Sequence, residues 1–315
     1  MQTTMQAERV LFSHVDFTDD TFCLTPSLDQ PIPESLTESI VRAGLLHPPI
    51  LKEKSKNSYC IVTGWKRLTV LRETLELSAC NCLVLRSETS DLECLSKALE
   101  DALVSETCTP ATRAVFFQKA LRHLDEEQLS RRFLPAVGLS THISHIHRSL
   151  DLLKLEEPLF HALHRGRLDE KAALEIIKLP FGDRMALFEV VEALHLSIGN
   201  QRKIVVACKE LAARHNSSII SILSSSEVSE ILDHPEANIP QKTANLMALL
   251  HRQRFPRATQ AEKEFRQFRG GLNLPNSVTL EHAQAFEKDS VTLTIPFQNQ
   301  EQLQKVWPDI KKLLR

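Results

Sequence analysis

The apolar run 59–62 stops at Gly64, and a basic helical stretch holding Lys66, Arg67, Leu68, Val70 and Leu71 begins directly behind it. A strand that ends on glycine and turns at once into helix commits its surroundings to mixed α+β structure, because each element must bury its apolar side against another. The flanks agree. Upstream, Leu36, Ile40, Val41 and Leu45 recur at helical spacing and Gly44 supplies a stop. Pro48 and Pro49 then lead into a strand at Ile50 and Leu51 and a lysine-rich turn over 52–58. Residues 81–85 form a further strand, and short apolar pieces at 10–12 and 22–24 carry strand and turn signals. The predicted order is strand, helix, strand, strand, helix, strand.

From Asp91 the pattern is helical for roughly 140 residues, punctuated at Pro110, Gly138, Pro158, Gly166, Pro180 and Gly199. No period of solenoid length repeats. Residues 233–240 are the best linker candidate; a basic helical stretch over 241–269, two alternating segments at 278–280 and 291–297 and a last helix from Gln300 follow. A chain of 315 residues holds two or three small cores. The expected division is an α+β part over 1–107, an all-α part over 108–235 and a small α+β unit with a basic helix over 241–315. Net charge is -2, so any nucleic-acid contact must come from local basic patches. The seven cysteines are odd in number and scattered, which suits reduced core residues of a cytoplasmic protein. Cys80 and Cys82 form a C-x-C with no second pair at zinc-finger spacing. No apolar stretch approaches the roughly 20 residues that a membrane span needs.

Gly64 with Lys66 and Arg67 presents backbone N–H groups and two cations to one point, a generic anion site. Solvated cations beside an ordinary strand-to-helix turn give the same pattern. The wider stretch Leu36, Ser39, Ile40, Gly44, Leu45, His47 and Pro48, followed by Gly64, Trp65, Lys66 and Arg67, resembles the N-terminal domain of the ParB family of chromosome and plasmid partitioning proteins. That family carries L-x-x-S-I-x-x-x-G-L-x-x-P in a first box and G-E-R-R-x-R-A in a second. The resemblance implies a ParB/sulfiredoxin-like α+β fold and a site for CTP with Mg²⁺, the second box wrapping the triphosphate and the first lying near the base. Its residues here would be Gly44, His47, Pro48, Gly64, Trp65, Lys66 and Arg67. A third box, E-N-x-Q-R, appears as Glu100 and Asp101, carboxylates suited to Mg²⁺, with Pro110 and Ala114 later. Trp65 stands in place of Glu, Lys66 in place of Arg and Thr69 in place of the third Arg; the Gln and Arg of the third box are gone. At most a weak CTPase is implied.

Asp125, Glu126 and Glu127 mark the first turn of a helix running through Phe133. After Pro135 and Gly138, Ser140 stands where an N-cap is expected, and a second helix reaches Leu153. Ile143, Ile146, Leu150 and Leu153 form its inward stripe, leaving Thr141, His142, Ser144, His145 and Arg148 outward to meet phosphates and base edges. An ordinary helical hairpin would read similarly. The run from Gly138 through Leu155 is similar to the helix-turn-helix that follows the ParB N-terminal domain, which implies double-stranded DNA as partner, with Ser140 among the contacting residues. The C-terminal stripe Leu303, Val306, Trp307, Ile310 and Leu313 must pack on something, and the family analogy suggests a homodimer.

Two function classes follow. One is a sequence-specific DNA-binding protein of partitioning, or of related transcription or nucleoid regulation, acting as a CTP-responsive clamp with a ParA-type ATPase as candidate partner. The other is an enzyme on the same fold, a nuclease or a phosphotransferase. Sulfiredoxin chemistry needs a cysteine where Trp65 and Lys66 stand, and no metal-bearing acidic cluster for a nuclease is found beyond Glu100 and Asp101.

Overall fold

The computed structural model describes residues 5–26, 31–275, 277–283 and 290–313. It is a mixed α+β chain, as expected, with a five-stranded sheet, a separate two-stranded hairpin and many helices. Contacts divide it into two units, 1–206 with 218–223, and 207–217 with 224–315.

In the first unit the sheet has strands β1 (Gln6–Leu11), β2 (Val15–Asp16), β3 (Ile50–Ser55), β4 (Ser58–Thr63) and β5 (Ala79–Leu85), in spatial order β1-β5-β3-β4-β2. Pairing is antiparallel for β1 with β5 and β3 with β4, and parallel for β3 with β5 and β2 with β4. Helix α1 (Glu34–Ala43) precedes β3, and α2 (Trp65–Thr69) follows β4 and continues as a single π turn over Val70–Thr74. The lysine-rich segment differs from expectation. Lys52 to Ser55 belong to β3, and only Lys56 and Asn57 turn, with Asn57 in the left-handed region at φ 59°. Asparagine tolerates that region, and a two-residue turn lets strand pairing persist to Ser55 and Ser58.

Alternation places the sheet between two apolar clusters. Ile61, Cys82 and Val84 face one way, onto Ile40 of α1 and Leu68 and Leu71 behind β4. Cys60, Val62 and Leu85 face the other, onto Cys94, Leu95, Ala98 and Leu99 of α3 (Asp91–Val104). This second cluster continues into α4 (Pro110–Ala120), α5 (Glu126–Phe133) and α6 (Ser144–Asp151), through Phe116, Phe117, Leu129, Phe133 and Ile146. Phe22 and Leu24 join it from a loop, not from a strand. Lys119 holds that loop in place, donating to the carbonyls of Asp20 and, at 2.9 Å, Cys23. Three apolar residues cannot by themselves separate strand from buried loop.

Further helices complete the unit: α7 (Glu157–His164), α8 (Glu170–Ile176), α9 (Phe181–Ala193), the start of α10 (Ile198–His215) and α11 (Ile219–Leu223). In the second unit Val228 of α12 (Ser226–Leu232) and Leu246, Leu249 and Leu250 of α13 (Ile239–Arg254) are buried. Helix α14 (Pro256–Gly271) buries none of its residues. Hairpin β6 (Thr279–His282) and β7 (Val291–Thr294) and helix α15 (Gln300–Leu313) follow. Among the described residues no helix is long and apolar enough to cross a membrane.

Candidate functional site

Two regions of the first unit carry the expected residues. At the first, Gly64 ends β4 in the left-handed region (φ 92°) and accepts the first helical bond of α2 from the Leu68 N–H, at 2.9 Å. A Cβ on Gly64 would stand 2.9 Å from the Pro49 Cβ, so glycine is needed for both conformation and space. The Arg67 guanidinium donates to the His47 carbonyl at 2.6 Å and lies 3.7 Å from the Asp101 carboxylate. His47, Gly64, Arg67 and Asp101 are thereby drawn together from the α1–β3 loop, the β4–α2 junction and α3. Gly44 caps α1, its N–H donating to the Ile40 carbonyl at φ 74°. Pro48 and Glu100 are exposed, and Lys66 is half-buried.

The chemistry available is anion binding, with limits set by geometry. Arg67 already serves a carbonyl and a carboxylate, so an anion must compete for it. The Trp65 indole N–H is buried without an acceptor, an unmet donor that normally finds a partner. Among the described residues there is no group of three or more His, Cys, Asp or Glu side chains able to hold a metal ion; Glu100 and Asp101 together supply two carboxylates.

Sequence reasoning missed the strap behind this region. Thr109, the N-cap of α4, bonds His164 Nδ1 of α7 at 3.1 Å. Burial first, then the nearby charge of Lys66, pushes His164 down to about 4, so the ring is neutral at pH 7. An unfolded histidine titrates near 6.5, so the unfolded chain takes up this proton first and the stabilisation is lost as pH falls from about 6.5 toward 4. His164→Asn is expected to flatten the pH dependence of the urea midpoint across that window. An unchanged slope would remove His164 from this role. No local pattern could have paired residues 109 and 164.

At the second region, Asp125 caps α5 in a reciprocal capping box with Gln128. The second helix begins later than expected. Helix α6 starts at Ser144 behind Ile143, and a 3₁₀ turn over Leu152–Lys154 continues it. Ser140 is therefore not its N-cap; its hydroxyl instead bonds His145 Nε2 at 3.0 Å. The inward stripe shifts with the start. Ile143 is 37% exposed, while Ile146 and Leu152 are fully buried; Leu150 and Leu153 pack at the edge of the core. The outward row holds: Ser140, Thr141, His142, Ser144 and Arg148 are exposed and His145 is half-buried. His147 Nε2 lies 3.0 Å from Glu126 of α5 and so braces the two helices. Arg148 has no ion-pair partner among the described residues.

No family model matches the chain. It is 28% identical over 148 residues to the nucleoid occlusion protein of Lysinibacillus sphaericus, covering 46% of this chain and 47% of that one. It is 29% identical over 172 residues to a probable chromosome 1-partitioning protein ParB of Deinococcus radiodurans, covering 53% and 56%. The chain thus spans about half the length of these curated relatives. Among solved structures, C-terminally truncated ParB from Caulobacter crescentus complexed to its centromeric parS site aligns at 18% identity and a TM-score of 0.35, over 63% of this chain and 98% of that chain.

Proposed function

We propose that this chain is a divergent ParB-like protein, similar to the relatives above, that it is nucleoid-associated and that it binds a specific double-stranded DNA site as a homodimer, in chromosome or plasmid partitioning or in related nucleoid or transcriptional regulation. The observation that carries this reading is the exposed row Thr141, His142, Ser144 and Arg148 on and before α6, braced from behind by Ile146 and Leu152. A short helix held on a rigid core, with donors outward and an unpaired guanidinium, suits a major groove. In this proposal the three parts 1–107, 108–235 and 241–315 have separate roles. The first part carries a nucleotide cradle, the second the DNA-binding helices and the third self-association. Leu303, Val306 and Trp307 on α15 and Val291 and Leu293 on β7 are exposed, an apolar set suited to a second copy of the chain. A ParA-type ATPase is the candidate partner.

The cradle is proposed to take CTP with Mg²⁺. The Gly64 turn, Lys66 and Arg67 would meet the phosphates, Glu100 and Asp101 the metal, and Gly44, His47, Pro48 and Trp65 the rest of the nucleotide. Each guanidinium replaced since the family pattern removes a partner worth about 1.5–3 kcal/mol, so affinity is weak and any CTPase activity slow.

Cross-linking the full chain to genomic DNA, followed by recovery and sequencing, tests the DNA reading. Discrete palindromic peaks are expected, and cleavage without enrichment would favour an enzyme. On the enriched site, Arg148→Ala is expected to weaken binding about tenfold or more, as loss of a base-edge contact does. If Arg148 meets phosphate instead, the slope of log affinity against log salt falls by about 1. Unchanged affinity and slope would take α6 out of the interface.

A further inference from the structure

Cys80 and Cys82 lie two residues apart on β5, so their side chains leave the same face of the sheet. Their sulfurs are 3.4 Å apart and share a hydrogen bond. Cys82 is buried in the cluster beneath α2, and Cys80 packs half-buried at that cluster's edge. The shared bond holds the Cys80 thiol below its ordinary range and drives that of Cys82 upward. At two other buried cysteines burial raises the thiol, Cys60 to about 11 and Cys94 to about 12. The pair therefore sets a half-buried thiol at the cluster's edge in contact with a second, buried thiol behind it. Residues two apart on a strand have Cα atoms about 6.6 Å apart, near the upper end of the range a disulfide spans.

We propose that Cys80 and Cys82 form a dithiol modification site which a hydroperoxide converts to an intrastrand disulfide and a small thiol reverses. The Cys80 thiolate attacks a peroxide oxygen; the O–O bond breaks, the departing alkoxide takes a proton from water, and Cys80 becomes a sulfenic acid. The Cys82 sulfur then attacks the Cys80 sulfur, the S–S bond forms, and the hydroxyl leaves with the Cys82 proton as water. Two thiols lose two electrons and two protons, and the peroxide is reduced to an alcohol and water. Drawing the sulfurs from 3.4 Å to about 2.05 Å on an extended strand strains the bond, which makes it easily reduced. That strain falls on the ladder between β5 and the edge strand β1, where Cys80 faces Val10 and Cys82 faces Glu8.

The test treats the full chain with hydrogen peroxide, then alkylates with a maleimide, digests and weighs the peptides. The peptide containing residues 80–82 is expected to escape alkylation and to be lighter by about two hydrogens, with dithiothreitol restoring both labels. In Cys82→Ser, Cys80 is expected to stop at a sulfenic acid that dimedone traps; in Cys80→Ser, Cys82 resists oxidation. Full alkylation of both cysteines after peroxide, or linkage of Cys80 to any other cysteine, would overturn the proposal. The wild-type mass shift decides the matter even if a variant folds poorly.

Discussion

Phe116→Ala is expected to destabilise the first unit by about 3–5 kcal/mol, the usual cost of removing a buried phenyl ring, and to do so for the sheet and the DNA-binding helices together. Phe116 is fully buried. Its ring meets Phe133 of α5 at 4.9 Å and Phe117 at 5.9 Å, both edge-on. The same cluster includes Cys60 and Val62 of β4, Leu85 of β5 and the inner face of α3. A cavity here removes contacts from both layers, and a close-packed interior does not collapse freely to refill it. Trp65 reports on the α+β layer, and the only other tryptophan, Trp307, lies in the second unit. In a Trp307→Phe background, fluorescence and far-ultraviolet circular dichroism are expected to show coincident urea transitions that shift together. Early loss of helix with Trp65 unmoved would mean that the two layers fold independently.

Much of this arrangement could be read from residue patterns, and the departures have physical causes. The strand and helix order was legible because Leu36, Ile40, Ile61 and Leu68 each mark a face by period. The extent of β3 was not, since lysines near the end of a strand look like turn residues until Asn57 is seen to suffice for the turn. Serine favours the cap role that its position gives Ser140, yet α6 starts at Ser144 with no side-chain cap, and the three-residue delay exchanges Ile143 for Leu152 in the core. The outward row survived that shift because polar residues fill every position from Ser140 to Arg148 except Ile143 and Ile146. Pairings over long separations, Arg67 with His47 and Asp101 or Thr109 with His164, carry no local signal, since side-chain period reports burial and not partner.

Gly64→Val tests the nucleotide cradle most severely. The residue sits at φ 92° and ψ 21°, where a β-branched side chain is strained by about 1–3 kcal/mol. The new Cβ would also meet the Pro49 Cβ at 2.9 Å and Cα at 3.1 Å. Pro49 is buried and its ring cannot rotate away, so β3 must part from α2. Together these effects cost about 3 kcal/mol or more, on the order of 6–12 °C in Tm for a unit of this size. Arg67→Ala is the informative companion. It leaves the backbone turn intact and removes only the cation with its contacts to the His47 carbonyl and the Asp101 carboxylate, so a smaller thermal shift is expected. Isothermal titration with CTP and Mg²⁺ then separates fold from function. The wild-type chain is expected to give heat at millimolar nucleotide, and a thermally sound Arg67→Ala is expected to lose it. Absence of heat from the wild-type chain at millimolar nucleotide would end the CTP proposal while leaving the Gly64 strain argument to the melting data alone. Retained binding in Gly64→Val would show that the turn is structural and that the phosphates lie elsewhere.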